Sequence, residues 1–170
     1  MKRRYLAGLV MVFALSVLSS TFAFAEEWGK LDRKWFYYLD DGSVAKNTWI
    51  YTEGGPYWVK DDGVMAVNEW VNNDGIWYYV DGDGRKTENQ LLTLNRDLYW
   101  LGEDGVMASD EWVSVEDKWY YFEADGRAVK GCWKLIGEDY YYFLRSGMMA
   151  ADALAPGGYR VGADGRRLEK

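Results

Sequence analysis

The sequence lacks histidine altogether, and it has one cysteine, Cys132, and two prolines among its 170 residues. Without histidine, Ser-His and Cys-His catalytic pairs and histidine-based metal sites are excluded. A single cysteine excludes an internal disulfide, which leaves Cys132 shielded, free or paired with another molecule. Counting acids does not exclude a pair of glycosidase carboxylates, but most acids recur at turns, where solubility explains them. We therefore expect a protein that is not an enzyme, with no cofactor, no metal site and no catalytic residue.

Long apolar runs are also scarce, and the only one lies near the N-terminus. A basic start at residues 2–4 precedes an apolar run at 6–18 and a small-x-small cleavage pattern at 23–25. This arrangement predicts a secretory signal peptide over residues 1–25, because the run is too short and wrongly flanked for a stable membrane span. We expect residues 26–170 to form a soluble, exported product.

Basic residues are fewer than acidic ones, 20 against 27, which gives a net charge of −7. Residues 1–25 carry three basic residues and no acid, so their removal brings the net charge to −10. An acidic surface argues against nucleic acid and against anionic membrane surfaces as partners, whereas it tolerates or attracts cationic ligands.

What the chain has in abundance is aromatic side chains, with 10 Trp and 14 Tyr, and they recur with a period of 21 residues. Seven bulky residues fall 21 apart and are taken as position 0 of each unit: Trp28, Trp49, Trp70, Leu91, Trp112, Trp133 and Leu154. Position 14 is glycine in the first six units, and the seventh unit, three residues shorter, reaches its glycine at Gly165. The chain from residue 26 to 170 is thus a repeat array, with no room for a separate catalytic domain.

Each unit has the pattern of a short strand, a turn, a second short strand and a loop. Asp-Gly pairs such as Asp41-Gly42 and Asp125-Gly126 are typical of hairpin turns, because glycine supplies the positive φ. A hairpin of this size is only marginally stable alone, so neighbours must stack to bury apolar faces. The sequence predicts an all-β solenoid of stacked β-hairpins.

Alternation along the strand separates the rings into two faces. In the fifth unit, Tyr120 and Phe122 occupy positions 8 and 10, which are apolar or aromatic in every unit, and we predict that they form the core. Trp119 and Tyr121, at positions 7 and 9, are predicted to point the other way. Methionine at position 16 and tryptophan at position 9 favour alternate units, which gives a second period of 42 residues. A pocket between neighbouring units explains this alternation, whereas packing alone does not.

The segment from Trp112 to Trp133, with Trp119-Tyr120-Tyr121-Phe122 and Gly126, resembles the choline-binding or cell-wall-binding repeat of Gram-positive surface proteins. Related repeats occur in glucan-binding regions and in receptor-binding repeats of secreted toxins. The resemblance implies a left-handed superhelix of hairpins, with cages of about three rings, often with a methionine, that hold choline groups of teichoic acid. It also implies a secreted protein associated noncovalently with the wall of a Gram-positive bacterium. The glycine that precedes the closing Trp in the family is absent here, for example at Glu111.

Carried over to this chain, the family pattern places each candidate cage between an odd unit and the next even one. The three candidate cages are Trp35, Trp49 and Trp58 with Met65; Trp77 and Trp100 with Met107; and Trp119, Trp133 and Tyr142 with Met149. Ring faces attract a quaternary ammonium ion electrostatically. Two other interpretations stay open at this point. One is a glucan- or glycan-binding protein, and the other is a structural protein whose rings only pack and which dimerises through Cys132.

Overall fold

The computed structural model describes residues 26–168, so the predicted signal peptide lies outside the described residues. Within this range fourteen strands form seven antiparallel two-stranded hairpins, and no helix is long and apolar enough to span a membrane. Hairpins 1 to 7 are, in order, β1 (Glu27–Leu31) with β2 (Lys34–Tyr38), β3 (Thr48–Thr52) with β4 (Gly55–Val59), β5 (Glu69–Asn73) with β6 (Ile76–Val80), β7 (Gln90–Leu94) with β8 (Asp97–Leu101), β9 (Glu111–Val115) with β10 (Lys118–Phe122), β11 (Trp133–Ile136) with β12 (Asp139–Tyr142), and β13 (Ala153–Ala155) with β14 (Tyr159–Val161).

Each 21-residue unit contributes one hairpin, which confirms the predicted all-β solenoid. In hairpins 1 to 6 the register pairs position 0 with position 9, as in Trp28 opposite Tyr37 and Trp112 opposite Tyr121. The two rings therefore stand side by side on one face of the hairpin. Cys132, in the connection before β11, is exposed and free.

The position predicted for the hairpin turn is wrong. In hairpin 1 the strands are joined by Asp32 and Arg33, whose φ values of 47° and 66° place both residues in the left-handed region that a type I′ turn requires, without any glycine. The Asp-Gly pair follows the second strand instead. There the amide of Gly42 donates to the carbonyl oxygen of Leu39 at 2.8 Å, which turns the chain back toward an isolated bridge at position 16.

Successive hairpins are tied together by one repeated backbone hydrogen bond. The amide at position 16 of each unit donates to the carbonyl oxygen at position 7 of the preceding unit, at 2.7 to 2.9 Å. The six donor and acceptor pairs are Met65 and Trp35, Lys86 and Pro56, Met107 and Trp77, Ala128 and Leu98, Met149 and Trp119, and Arg167 and Tyr140. The residue at position 16 therefore lies beside the position-7 ring of the hairpin before it.

Position 10 is the centre of the core, as predicted, because Val59 and Phe122 are both 0% exposed. Position 8 was predicted to share this core, but it is only half-buried in most units, as at Tyr57. The prediction that position 9 points away from the core is wrong, since Trp58 is 5% exposed. Hairpins 2 to 6 are each packed between two neighbours, so both of their faces are interior. Trp58 packs with Val71 and Val80 of hairpin 3, for example.

Among the four consecutive rings of hairpin 5, Trp119 alone is exposed, at 47%. The corresponding tryptophans of hairpins 1 and 3, Trp35 and Trp77, are also exposed.

Candidate functional site

A corner of aromatic rings lies where hairpins 5 and 6 meet, a contact that we call junction 5/6. Trp112 and Trp119 lie diagonally across hairpin 5, with centroids 6.4 Å apart and planes at 80°. Tyr141 of hairpin 6 meets Trp112 edge to face at 4.9 Å and 71°. With these rings, Met149 and Asp164 line a cavity of about 450 Å³. Three rings from two hairpins, a thioether and a carboxylate thus surround one space.

The same arrangement recurs at junction 1/2. Trp28 and Trp35 of hairpin 1 face Tyr57 and Met65 of the second unit, around a cavity of about 260 Å³ that Asp83 also lines. The centroids of Trp28 and Tyr57 are 5.4 Å apart, with planes at 70°.

Junction 3/4 repeats the geometry at the same positions of the units. The centroids of Trp70 and Tyr99 are 5.0 Å apart, at 64°. The backbone hydrogen bond to Trp77 places Met107 beside that exposed ring. We call junctions 1/2, 3/4 and 5/6 the open cages.

Each methionine of an open cage is backed by the position-14 glycine of the next unit. A Cβ on Gly84 would lie 2.7 Å from Met65 Cε. A Cβ on Gly126 would likewise meet the Met107 side chain, and a Cβ on Gly165 would meet the Met149 side chain. Gly84 also has a φ of +81°, so the glycine is required both for its turn conformation and for room behind the cage.

The tyrosine of each open cage is held by an arginine at position 15 of the unit that follows. The Tyr57 hydroxyl accepts a hydrogen bond from Arg85 Nε at 3.2 Å, and the Tyr99 hydroxyl accepts one from Arg127 Nε at 3.4 Å. The Tyr141 hydroxyl accepts a hydrogen bond from Arg166 in the same way. These contacts raise the pKa of each guanidinium, the hydroxyl being the main cause. Beside two of the three cages a carboxylate at position 6 offsets the guanidinium charge, as Asp97 does at 3.4 Å from Arg127 Nε.

Junction 2/3 contains a ring pair of the same geometry, but the chain fills it. Trp49 and Tyr78 meet at 5.2 Å and 75°. Lys86 stands at position 16, and its Nζ lies 5.6 Å from the Trp49 centroid and 5.7 Å from the Tyr78 centroid. The ammonium group also donates to Asp104 O at 2.9 Å and pairs with Glu88 at 2.8 Å.

Junction 6/7 is filled in the same way by a guanidinium. Arg167 Cζ lies 4.5 Å from the Tyr140 centroid and 4.8 Å from the Tyr159 centroid. We call junctions 2/3 and 6/7 the filled cages.

Junction 4/5 has aliphatic side chains at most of the positions where the open cages have rings or a methionine. The residues at the cage positions are Leu91, Leu98, Tyr120 and Ala128, all members of one hydrophobic cluster. A cavity of about 720 Å³ beside this junction is lined by Trp100 together with Glu103 and Glu116. It is larger than the open cages, but its rings do not converge around a methionine. The open cages are therefore the candidate ligand site.

The structure brings together only part of each candidate cage. The six predicted residues that lie at open cages are Trp35, Met65, Trp77, Met107, Trp119 and Met149. Trp49 belongs to the filled junction 2/3 and Trp133 contacts Tyr159 at junction 6/7. The remaining three, all at position 9, pack beneath the position-0 residue of their own hairpin: Trp58, Trp100 and Tyr142.

Six ring residues of the open cages are absent from the candidate set: Trp28, Tyr57, Trp70, Tyr99, Trp112 and Tyr141. The sequence contains a signal for them. Tryptophan occurs at both position 0 and position 7 only in units 1, 3 and 5, which are the units followed by a methionine at position 16.

Several solved structures similar to this chain come from Streptococcus pneumoniae. CbpJ from strain TIGR4 is 26% identical, over 85% of this chain and 48% of its own, with a TM-score of 0.71. Choline binding protein F, solved in the presence of a peptidoglycan analogue, is 27% identical over 85% of this chain and 47% of its own, with a TM-score of 0.69. The modular autolysin LytC, in complex with a synthetic peptidoglycan ligand, is 26% identical over 84% of this chain and 37% of its own, with a TM-score of 0.65.

This chain spans about half the length of the first two proteins and about a third of LytC. Among curated proteins, none matches the chain. Two sequence models described as choline-binding repeats match residues 43–85 and 110–154, together just over half of the chain. Together with the stacked hairpins and their aromatic cages, these matches show that the chain belongs to the choline-binding repeat family.

Proposed function

We propose that this protein is a non-catalytic anchoring module, exported by a Gram-positive bacterium. Its three open cages bind choline groups of a cell-wall polymer such as teichoic acid and hold it noncovalently on the surface. The observation that carries the proposal is the position of Lys86 Nζ, between the Trp49 and Tyr78 rings of junction 2/3. The open cages repeat that ring pair with a methionine in place of the lysine, and at junctions 1/2 and 5/6 the rings line a cavity.

The chemistry of the open cages suits a trimethylammonium group. Such an ion donates no hydrogen bond, so it loses nothing in a site lined by ring faces and a thioether. Each ring contributes about 0.5–2 kcal/mol, and three rings give an affinity on the order of millimolar after association costs. Asp83 and Asp164 line the cages at junctions 1/2 and 5/6 and supply negative potential.

The geometry gives less support to the other two interpretations. A sugar-binding surface needs flat rings with polar partners for hydroxyl groups, whereas the Trp112 and Tyr141 planes stand at 71° around Met149. A purely structural role does not account for Trp35, Trp77 and Trp119 remaining exposed beside a cavity or a methionine. Three weak sites on one chain facing a polymer bind by avidity, which suits surface attachment.

The test is a titration of the purified protein, followed by tryptophan fluorescence. Choline chloride is compared with its neutral isostere 3,3-dimethyl-1-butanol, with sodium chloride and with dextran. We expect a saturable response in the millimolar range for choline alone, because the cage recognises charge as well as shape. An equal response to the neutral isostere, or a response to dextran without one to choline, would contradict the proposal.

A further inference from the structure

We infer that junction 2/3 is a further cation site of the same kind, kept closed by Lys86. By this inference, the residue at position 16 determines which junctions accept an external quaternary ammonium ligand. The inference rests on the proposed function, because it extends the open-cage chemistry to a junction where the ligand belongs to the chain.

The ring pair of junction 2/3 matches the open cages in centroid distance and is within a few degrees of them in interplanar angle. Its centroid distance is 5.2 Å and its interplanar angle is 75°. In the open cages the distance runs from 4.9 to 5.4 Å and the angle from 64° to 71°. The junction differs at two positions, where Pro56 replaces the exposed tryptophan and Lys86 replaces the methionine.

Lys86 is directed into the cage by the same backbone contact that places the methionines. Its amide donates to the carbonyl oxygen of Pro56 at 2.9 Å, as that of Met65 does to Trp35. The Lys86 side chain is only 11% exposed. Two rings, a carbonyl oxygen and a carboxylate therefore hold one ammonium group at the place where an external cation would bind.

An internal ligand of this kind competes with a free one. A tethered group acts at an effective concentration in the millimolar range or above, which matches the affinity expected of a single cage. An external ligand would also have to displace the hydrogen bond to Asp104 O and the ion pair with Glu88. Arg167 gives a second instance of a cation at position 16, over Tyr140 and Tyr159.

This assignment accounts for the 42-residue period. Position 16 reads Met65, Lys86, Met107, Ala128, Met149 and Arg167 along the junctions. Alternate junctions are therefore held together without ligand, by a cation of the chain or by aliphatic packing, and the others are left for ligand. The open cages stand two hairpins apart as a result.

Lys30 supplies a matched control. Its Nζ lies 5.1 Å from the Trp35 centroid, but it reaches that ring from the opposite strand of its own hairpin and not from position 16. Removing this cation leaves the number of cages unchanged.

The first experiment counts choline sites by equilibrium dialysis with labelled choline. The proteins are the wild type, Lys86→Met, the double variant Lys86→Met with Pro56→Trp, and Lys30→Met, with near-ultraviolet circular dichroism to verify folding. We expect the double variant to bind one more choline than the wild type, and Lys30→Met to bind the same number. If the wild type and the folded double variant bind the same number of choline molecules, the inference is overturned, whatever that number is. No binding to the wild type contradicts the proposed function instead.

A second measurement uses the wild type alone and does not depend on the variants folding. The ε-methylene protons of Lys86 should show ring-current shifts, and these shifts should persist when choline saturates the open cages. Random-coil shifts for these protons, or their displacement at the same choline midpoint as the open cages, would overturn the inference.

Discussion

The amide of Met65 donates a hydrogen bond to the carbonyl oxygen of Trp35 at 2.9 Å, although the two residues are thirty positions apart in the sequence. The same link joins Met107 to Trp77. Because the contact is made by backbone, it persists whatever side chain stands at position 16. The fold therefore builds a cage position at every junction, and the side chains decide whether it is open, filled or aliphatic.

Removing an exposed cage ring should weaken binding without weakening the fold. Trp119 is 47% exposed, so Trp119→Ala gives up less buried area than the loss of a core ring. We expect binding at junction 5/6 to weaken about 2- to 30-fold, the loss of about 0.5–2 kcal/mol from one ring. Calorimetric titration with choline measures the change. Tyr51→Ala is the control, since Tyr51 is 72% exposed and lies outside the open cages. An equal loss in both variants would exclude a specific role for Trp119.

The glycine behind a cage methionine should be required for binding as well as for stability. Gly126→Ala places a Cβ against Met107, whereas Gly42→Ala has the same φ of +80° and open space around the Cβ. Strain alone destabilises both variants by about 1 kcal/mol. We expect Gly126→Ala to lose more unfolding free energy and also choline affinity at junction 3/4, measured by urea unfolding and titration. Equal behaviour of the two variants would contradict this account of the cage.

The arginine behind a cage tyrosine should act only through the tyrosine hydroxyl. Arg127→Leu removes the donor to Tyr99 and frees the ring to move, so we expect weaker choline binding at junction 3/4 by a few-fold, on the scale of one hydrogen bond. The same substitution in a Tyr99→Phe background should change affinity little, because the hydroxyl is already gone. A full effect in that background would mean that the charge of Arg127 acts directly on the ligand.

Alkaline pH should weaken the fold through Tyr121. Its hydroxyl donates to Asp110 Oδ1 at 2.5 Å, and this hydrogen bond, together with burial, raises the pKa of Tyr121 to about 12. Since the unfolded pKa is about 10, the neutral form is favoured in the folded state. Its stabilisation is complete below about pH 10 and is lost as pH rises toward about 12.

Urea unfolding between pH 8 and 12 measures this effect. We expect Tyr121→Phe to be less stable than the wild type at pH 8 and to lose less free energy of unfolding across the alkaline window. Parallel pH profiles for the two proteins would contradict the role assigned to the Tyr121 hydroxyl.

The repeat carried enough information to predict the solenoid. A 21-residue period and an apolar position 10 require one hairpin per unit with a shared core, and Phe143 is fully buried there. The turns of hairpins 1, 4 and 5 were missed because residues such as Asn95 and Arg96 adopt positive φ without glycine. Position 9 was misplaced because a stacked hairpin buries both faces, which strand alternation alone does not reveal.

For the candidate cages, the sequence identified the methionines but not most of their ring partners. Methionine periodicity identifies Met65, Met107 and Met149, since no packing argument explains it. Their ring partners depend on a backbone link between units and on a diagonal pair such as Trp112 and Trp119. Neither the backbone link between units nor the diagonal packing of two rings follows from residue spacing within one unit.

We expect choline to enter three cages, at junctions 1/2, 3/4 and 5/6. The most direct measurement is a choline titration followed by the methyl resonances of methionine in the folded protein. The account predicts that Met65, Met107 and Met149 shift saturably, and that Met148, which packs in the core cluster of junction 4/5, does not. Uniform small shifts of all four methyls, or shifts that sodium chloride reproduces, would contradict the claim.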